Sequence, residues 1–328
     1  MRKMVLALAT LLLVLFCAGA QAADVLYTAI VTRNYANSTT SVYTKMDKDS
    51  KKIATYNPGK KLDVTAVYPN WVEVKIGSKT GYVLRHRVDE VVPVDAVNTP
   101  PYGVEVYAYY AVIARDTQVL DAPEEGAKVL STLTEGAKVA FIGVENGWAK
   151  LIYHRQYAWI DTRMLDELLP VACAPSEASD EVPLAVFVSF YNTNEDRINN
   201  LRVACTRMNR TMETNDLLDF NGTVGPFTKG NGYLPAPVLI DGEVKQGYGG
   251  GSCQISSTLY NTVLQLPGIS VVERHPHGSN GAPYLPHGVD ASSGDLNFRI
   301  RNTYDFPIRI DASCHDYALF IAIYKGDA

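Results

Sequence analysis

Gln246-Gly247-Tyr248-Gly249-Gly250-Gly251-Ser252-Cys253-Gln254-Ile255-Ser256-Ser257-Thr258-Leu259-Tyr260-Asn261 reads as a glycine turn running into a helix. Consecutive glycines let the backbone take positive φ and approach a neighbouring group closely. After them Ile255, Leu259 and Val263 recur at i, i+4 and i+8, so the spacing predicts a helix from near Ser252 that stops before Pro267-Gly268. Cys253 then falls in the first helical turn, where unpaired amides and the helix dipole favour a thiolate. The same amides, with those of the glycine turn, suit an oxyanion formed when sulfur attacks a carbonyl. Gly250, Gly251 and Ser252 therefore join Cys253 as candidate site residues.

Further along, Glu273-Arg274-His275-Pro276-His277-Gly278 and Tyr284-Leu285-Pro286-His287-Gly288-Val289-Asp290 hold three of the chain's six His. A cysteine nucleophile needs a base that accepts a proton near neutral pH, and the base needs an acceptor that fixes its tautomer. Cys253, either His277 or His275, and Asp290 supply those residue types. Three close His and an Asp also raise zinc, but His275 and His277 at i, i+2 around a proline lack helical ligand spacing, so neither metal nor cofactor is expected.

Upstream of this region the pattern is different. At a constant offset of 77, Val42 falls on Val119, Ile53 on Leu130, Gly59 on Gly136, Trp71 on Trp148 and Tyr82 on Trp159. Short alternating segments with turns between them predict two small antiparallel barrels, at 25–95 and 104–168. A segment rich in small, polar and Pro residues at 169–183 reads as a linker, leaving 184–328 for an α+β unit. In that unit Leu184-Ala185-Val186-Phe187-Val188-Ser189-Phe190 reads as a buried strand. An amphipathic helical pattern runs from about Glu195 to Met212 with Cys205 on its apolar face, and two strands near Ile308 and Leu319 close the sheet.

Residues 1–22 carry Arg2 and Lys3, an apolar run and an Ala-Gln-Ala site, the pattern of a secretory signal peptide. The remaining Cys are Cys173, Cys205, Cys253 and Cys314. If Cys253 is a free thiol, at most one disulfide forms among the other three. A net charge of -5 offers no polybasic field, so no nucleic acid is expected as partner, and no membrane anchor is read after the leader. Twenty Tyr against nine Phe and three Trp fit strand-rich surfaces.

Two resemblances follow from these strings. Asn70-Trp71-Val72-Glu73-Val74 with Gly81-Tyr82-Val83, and its second copy, resemble the bacterial SH3-like domains of cell-wall proteins. The C-terminal unit resembles the VanW family through Ser189-Phe190-Tyr191-Asn192, Phe220-Asn221, Val224-Gly225-Pro226-Phe227, Gly249 to Asn261 and Glu273-Arg274-His275-Pro276-His277. Together they imply a multidomain fold, two small all-β SH3-like barrels followed by an α+β VanW catalytic domain. They also imply a secreted, extracellular or cell-wall-associated L,D-transpeptidase (periplasmic in a Gram-negative source), acting on peptidoglycan stem peptides through Cys253. Rival expectations are a Cys-His endopeptidase or carboxypeptidase, and a non-catalytic wall-binding accessory protein. Asn221, Gln254, Tyr284 and His287 are the further candidates for substrate contact. Family members often read Pro-Pro-Gly-Arg-Asp where this chain has Pro286-His287-Gly288-Val289-Asp290, so a familiar Arg is missing and a His is added.

Overall fold

The 77-residue repeat is visible element by element in the computed structural model, which describes residues 24–34, 38–191, 194–240, 243–278 and 281–326. The expected signal peptide lies outside the described residues. Strand Thr40–Tyr43 recurs as Thr117–Leu120, Lys52–Tyr56 as Val129–Leu133, Trp71–Ile76 as Trp148–Tyr153 and Lys79–Leu84 as Gln156–Asp161. Even the 3-10 turn Arg85–Arg87 returns as Thr162–Met164. In both copies the last two of these recurring strands form a hairpin, with Trp71 opposite Leu84 and Trp148 opposite Asp161. Alternation turns Val72, Val74 and Val83 inward in the first copy, and Ala149, Leu151, Ala158 and Ile160 in the second. Trp71 is buried edge-on against Tyr43, as expected of a core residue.

The two β units differ in what their cores join. The first keeps its own cluster around Val31, Val42, Val64, Val74 and Val83. The second shares one continuous core with the C-terminal unit. Tyr107 packs edge-on against Phe187 at 5.3 Å and Tyr110 lies 5.7 Å from Phe320. Residues 169–183 cross between them as a paired segment. Leu169 lies opposite Tyr110, the Val171 amide donates to Ala108 O, and the Leu184 amide donates to Ile323 O.

The C-terminal unit is α+β. Its main sheet has the order Ala185–Phe190, Ala318–Lys325, Ile308–His315, Arg210–Met212, all antiparallel. Every residue of Ala185–Phe190 is buried because the second β unit and a helix cover the strand from two sides, which explains a run without alternation. Helices α1 (Glu195–Met208), α2 (Phe220–Val224) and α3 (Ser252–Val263) complete the unit. Helix α1 buries Leu201, Ala204, Cys205 and Met208, the expected face, but ends four residues before Met212. There the Asn209 side chain accepts the Ala312 amide at 2.6 Å, and the chain turns to pair Arg210–Met212 with Ile308 to Ile310. Sheet pairing thus overrides the helical period. No helix among the described residues is long and apolar enough to cross a membrane.

Candidate active site

Helix α3 starts where the glycines allow three elements to meet. Gly249 and Gly251 have φ of 84° and 110°, and Gly251 is the N-cap of α3. A Cβ on Gly250 would stand 2.7 Å from the Ala236 Cβ and 2.8 Å from the Pro237 carbonyl oxygen. Asn200 of α1 donates to Gly250 O at 3.1 Å and to Leu234 O at 2.9 Å, tying helix, hairpin and glycine turn together. Gly250→Ala is therefore expected to destabilise the protein by about 1–3 kcal/mol, read as a lower thermal midpoint, because the backbone oxygen cannot yield.

The polar residues of α3 explain how a distant loop reaches Cys253. Ser256 donates to Ala291 O at 2.6 Å, while Ser257 donates to the same oxygen at 3.1 Å and accepts the Ala291 amide at 2.9 Å. Asn261 donates to Val289 O at 2.6 Å. Three side chains on one face of the helix thus hold the backbone of residues 289–291, and that backbone carries Asp290 and Ser293 to the helix start. From the other side Asn221 donates to Gly294 O and Leu296 O and accepts the Gly294 amide.

Cys253, His277 and Asp290 come together here. Asp290 Oδ2 accepts His277 Nδ1 at 2.7 Å and the His277 amide at 2.6 Å, and the carboxylate is almost fully buried. With Nδ1 committed, Nε2 is the ring nitrogen left to Cys253, to which His277 is hydrogen-bonded. Ser293 meets the sulfur with its amide at 3.4 Å and its hydroxyl at 3.5 Å, and its carbonyl accepts from the thiol at 3.5 Å. Burial raises the Cys253 pKa, but the His277 and Ser293 interactions outweigh it and leave the thiol below its ordinary value. Burial alone lowers His277, yet its bonds to Asp290 and Cys253 raise it to about 9. Burial raises Asp290, and His277 together with Arg274 brings it below its ordinary value. The three directions all favour the charged forms, a thiolate beside an imidazolium beside a carboxylate.

Backbone amides at the helix start are unequally used. Ser252 N–H donates to Gly249 O at 3.0 Å and Gln254 N–H to Gly251 O at 2.9 Å. Between them the Cys253 amide has no acceptor among the described residues.

The remaining candidates lie elsewhere or have other tasks. The His275 ring faces Glu273 at 3.1 Å, and its side chain is 41% exposed. His287 sits edge-on to His86 of the first β unit, 6.4 Å between ring centres. Tyr284 is half-buried and bonded to Ser257, and it interacts electrostatically with Cys253. Asn221 is occupied by the loop just described. Gln254 is buried, donating to Ser189 Oγ at 3.0 Å and Phe190 O at 3.1 Å while accepting from Arg197 at 2.7 Å. Gly250 and Gly251 serve the backbone approach, and Ser252 Oγ accepts from Ser293 Oγ at 3.2 Å. Among the described residues no group of three or more His, Cys, Asp or Glu gathers as metal ligands would.

Four contributors escaped the sequence reading. Ser293 touches the sulfur three ways. Arg274 donates to Asp290 O at 2.7 Å and Gly288 O at 2.9 Å under the rings of Tyr102 and Tyr260. Arginines of the two β units grip the loop between His277 and Asp290: buried Arg85 donates to His287 O at 2.8 Å, and Arg155 to Leu285 O at 3.1 Å and Ala282 O at 3.3 Å. The Arg within Glu273-Arg274-His275 was available as a signal. The others follow only from tertiary contact.

Comparison with known proteins bears on the same region. Residues 196–324 match the family model described as VanW like protein. An uncharacterized protein, YoaR of Bacillus subtilis strain 168, is 36% identical over 148 residues, which is 44% of this chain and 48% of that protein. The chain thus spans about half the length of that relative. Among solved structures, NlpC2 and NlpC1 of Trichomonas vaginalis align over 92% and 96% of this chain, and over 97% and 98% of theirs. Their identities are 9% and 10% and their TM-scores 0.18 and 0.19, too low to imply a shared fold.

Proposed function

We propose that this chain, whose residues 196–324 form a VanW domain, is a cysteine-dependent L,D-transpeptidase acting on peptidoglycan tetrapeptide stems. The observation that carries the reading is the Cys253 thiol, bonded to an imidazole whose other nitrogen is held by a buried carboxylate, at the start of α3. The thiolate attacks the carbonyl carbon of the third stem residue. The oxygen that becomes negative is met by the Cys253 amide and the positive end of α3. As the carbon–nitrogen bond to the terminal D-amino acid breaks, His277 gives its proton to the departing amine, leaving a thioester on Cys253. An amine from a neighbouring stem then attacks the thioester, losing its proton to His277 and restoring the thiolate. The product is a 3-3 crosslink. Asp290 fixes the tautomer and orientation of His277, and Ser293 shares the charge on sulfur when the thiolate is free.

The two β units, read as SH3-like, hold wall polymer beside the site in this account, and the chain works outside the cell membrane. Incubation with purified disaccharide tetrapeptide tests the reading. A dimer lacking one terminal D-Ala is expected, with a transient acyl mass on Cys253. Tripeptide monomer alone points to the carboxypeptidase alternative. Cleavage within the stem, or no conversion, overturns the transpeptidase reading in favour of the endopeptidase or wall-binding alternatives.

A further inference from the structure

Arg197 stands in the first turn of α1 as a held but unneutralised cation beside the nucleophile. Its Nη2 donates to Gln254 Oε1 at 2.7 Å, and no carboxylate among the described residues lies within ion-pair distance of it. Glu195 and Asp196 share its helical turn, but both are exposed and neither pairs with it. Gln254, the residue after Cys253, is locked by its two donations to the strand Ala185–Phe190, so its oxygen fixes the guanidinium without neutralising it. The Arg197 side chain passes the glycine turn, with Cγ 3.3 Å from where a Gly251 Cβ would stand. Gln254 directly follows Cys253 in the first turn of α3, so the guanidinium it holds stands beside the start of the helix that carries the nucleophile. A planar guanidinium with donors to spare suits a carboxylate, which it can take bidentately.

We infer that Arg197 binds the free terminal carboxylate of the acyl-donor peptide, so that the site takes stems ending one residue beyond the scissile bond and disfavours internal peptide bonds. This inference rests on the transpeptidase reading for the position of the bond cut, and on geometry for the carboxylate. Gln254 then has a use beyond packing: it aims the cation.

Binding in the Cys253→Ala background separates the two ideas, since it needs no chemistry. Calorimetry would compare the disaccharide tetrapeptide with its C-terminal carboxamide. With Arg197 present, the acid is expected to bind at least about tenfold more tightly than the amide. Arg197→Gln should abolish that preference, and Arg197→Lys should keep part of it. Equal binding of acid and amide, no detectable binding of either, or a preference that survives in Arg197→Gln overturns the inference. Should Arg197→Gln not fold, the acid and amide comparison with Arg197 intact and with Arg197→Lys still decides it. If the acid preference holds and depends on Arg197 while the protein with Cys253 intact releases no D-Ala, the chemistry is misassigned and the carboxylate site stands.

Discussion

Cys253→Ala is expected to reduce release of D-Ala from tetrapeptide stems by about 10⁴-fold or more, to the level of the protein-free reaction, in a purified assay read by mass. The expectation is large because no second nucleophile reaches the same point. Ser252 Oγ is engaged by Ser293, and Ser256 and Ser257 are spent on holding residue 291. Folding should survive, since the contacts of the sulfur with Ser293 are long, 3.4 to 3.5 Å, and His277 stays held by Asp290 without it. The variant also has a spectroscopic signature. His277 is raised to about 9 by Asp290 and Cys253 against the effect of burial. Without the sulfur the imidazole should titrate lower, visible by NMR. The sign for stability follows: a His whose folded pKa exceeds its unfolded value stabilises fully below that unfolded value, and the contribution is lost as pH rises through about 9. Cys253→Ala should weaken that dependence. Full turnover by Cys253→Ala would rule out the thioester route.

The chain's organisation was legible to different depths for physical reasons. The repeat showed itself because each copy must bury the same alternating face, so Val42 and Val119, or Val74 and Leu151, keep their places. The start of α3 was legible because only glycine tolerates the φ at 249 and 251 and the crowding at 250. The choice between His275 and His277 was not, since two residues apart either ring satisfies the sequence. It depends on which one the Asp290 carboxylate can reach, and that is set by Ser256, Ser257 and Asn261 fixing residues 289–291. The C-terminal end of α1 was missed because its apolar period continues into residues that pair as a strand. The union of the second β unit with the C-terminal unit in one core has no local sequence signal at all, because Tyr107 and Tyr110 look like any strand aromatics until Phe187 and Phe320 meet them.

Asp290→Asn is expected to lower kcat/KM by about 10³- to 10⁴-fold while leaving the fold intact. In the parent, one carboxylate oxygen accepts both the amide and Nδ1 of His277, while the other faces Arg274 Nη2 at 3.5 Å. An asparagine cannot serve both neighbours. With its oxygen toward His277, its amide nitrogen confronts the Arg274 donors. With its nitrogen toward His277, Nδ1 must become the acceptor and the proton moves to Nε2, the wrong nitrogen for taking a proton from sulfur. Either way the negative charge that supports the imidazolium is gone, so the His277 pKa falls from about 9 and the Cys253 pKa rises. The reactive thiolate then forms only at higher pH. Alkylation by iodoacetamide should show this without any substrate, its rate near neutrality dropping and its midpoint moving upward, whereas a purely structural role would leave that midpoint in place. Asp290→Glu, which keeps the charge but lengthens the arm, should retain the low thiol midpoint better than it retains turnover. The turnover step needs His277 aimed at the departing amine, and the thiolate needs only the charge.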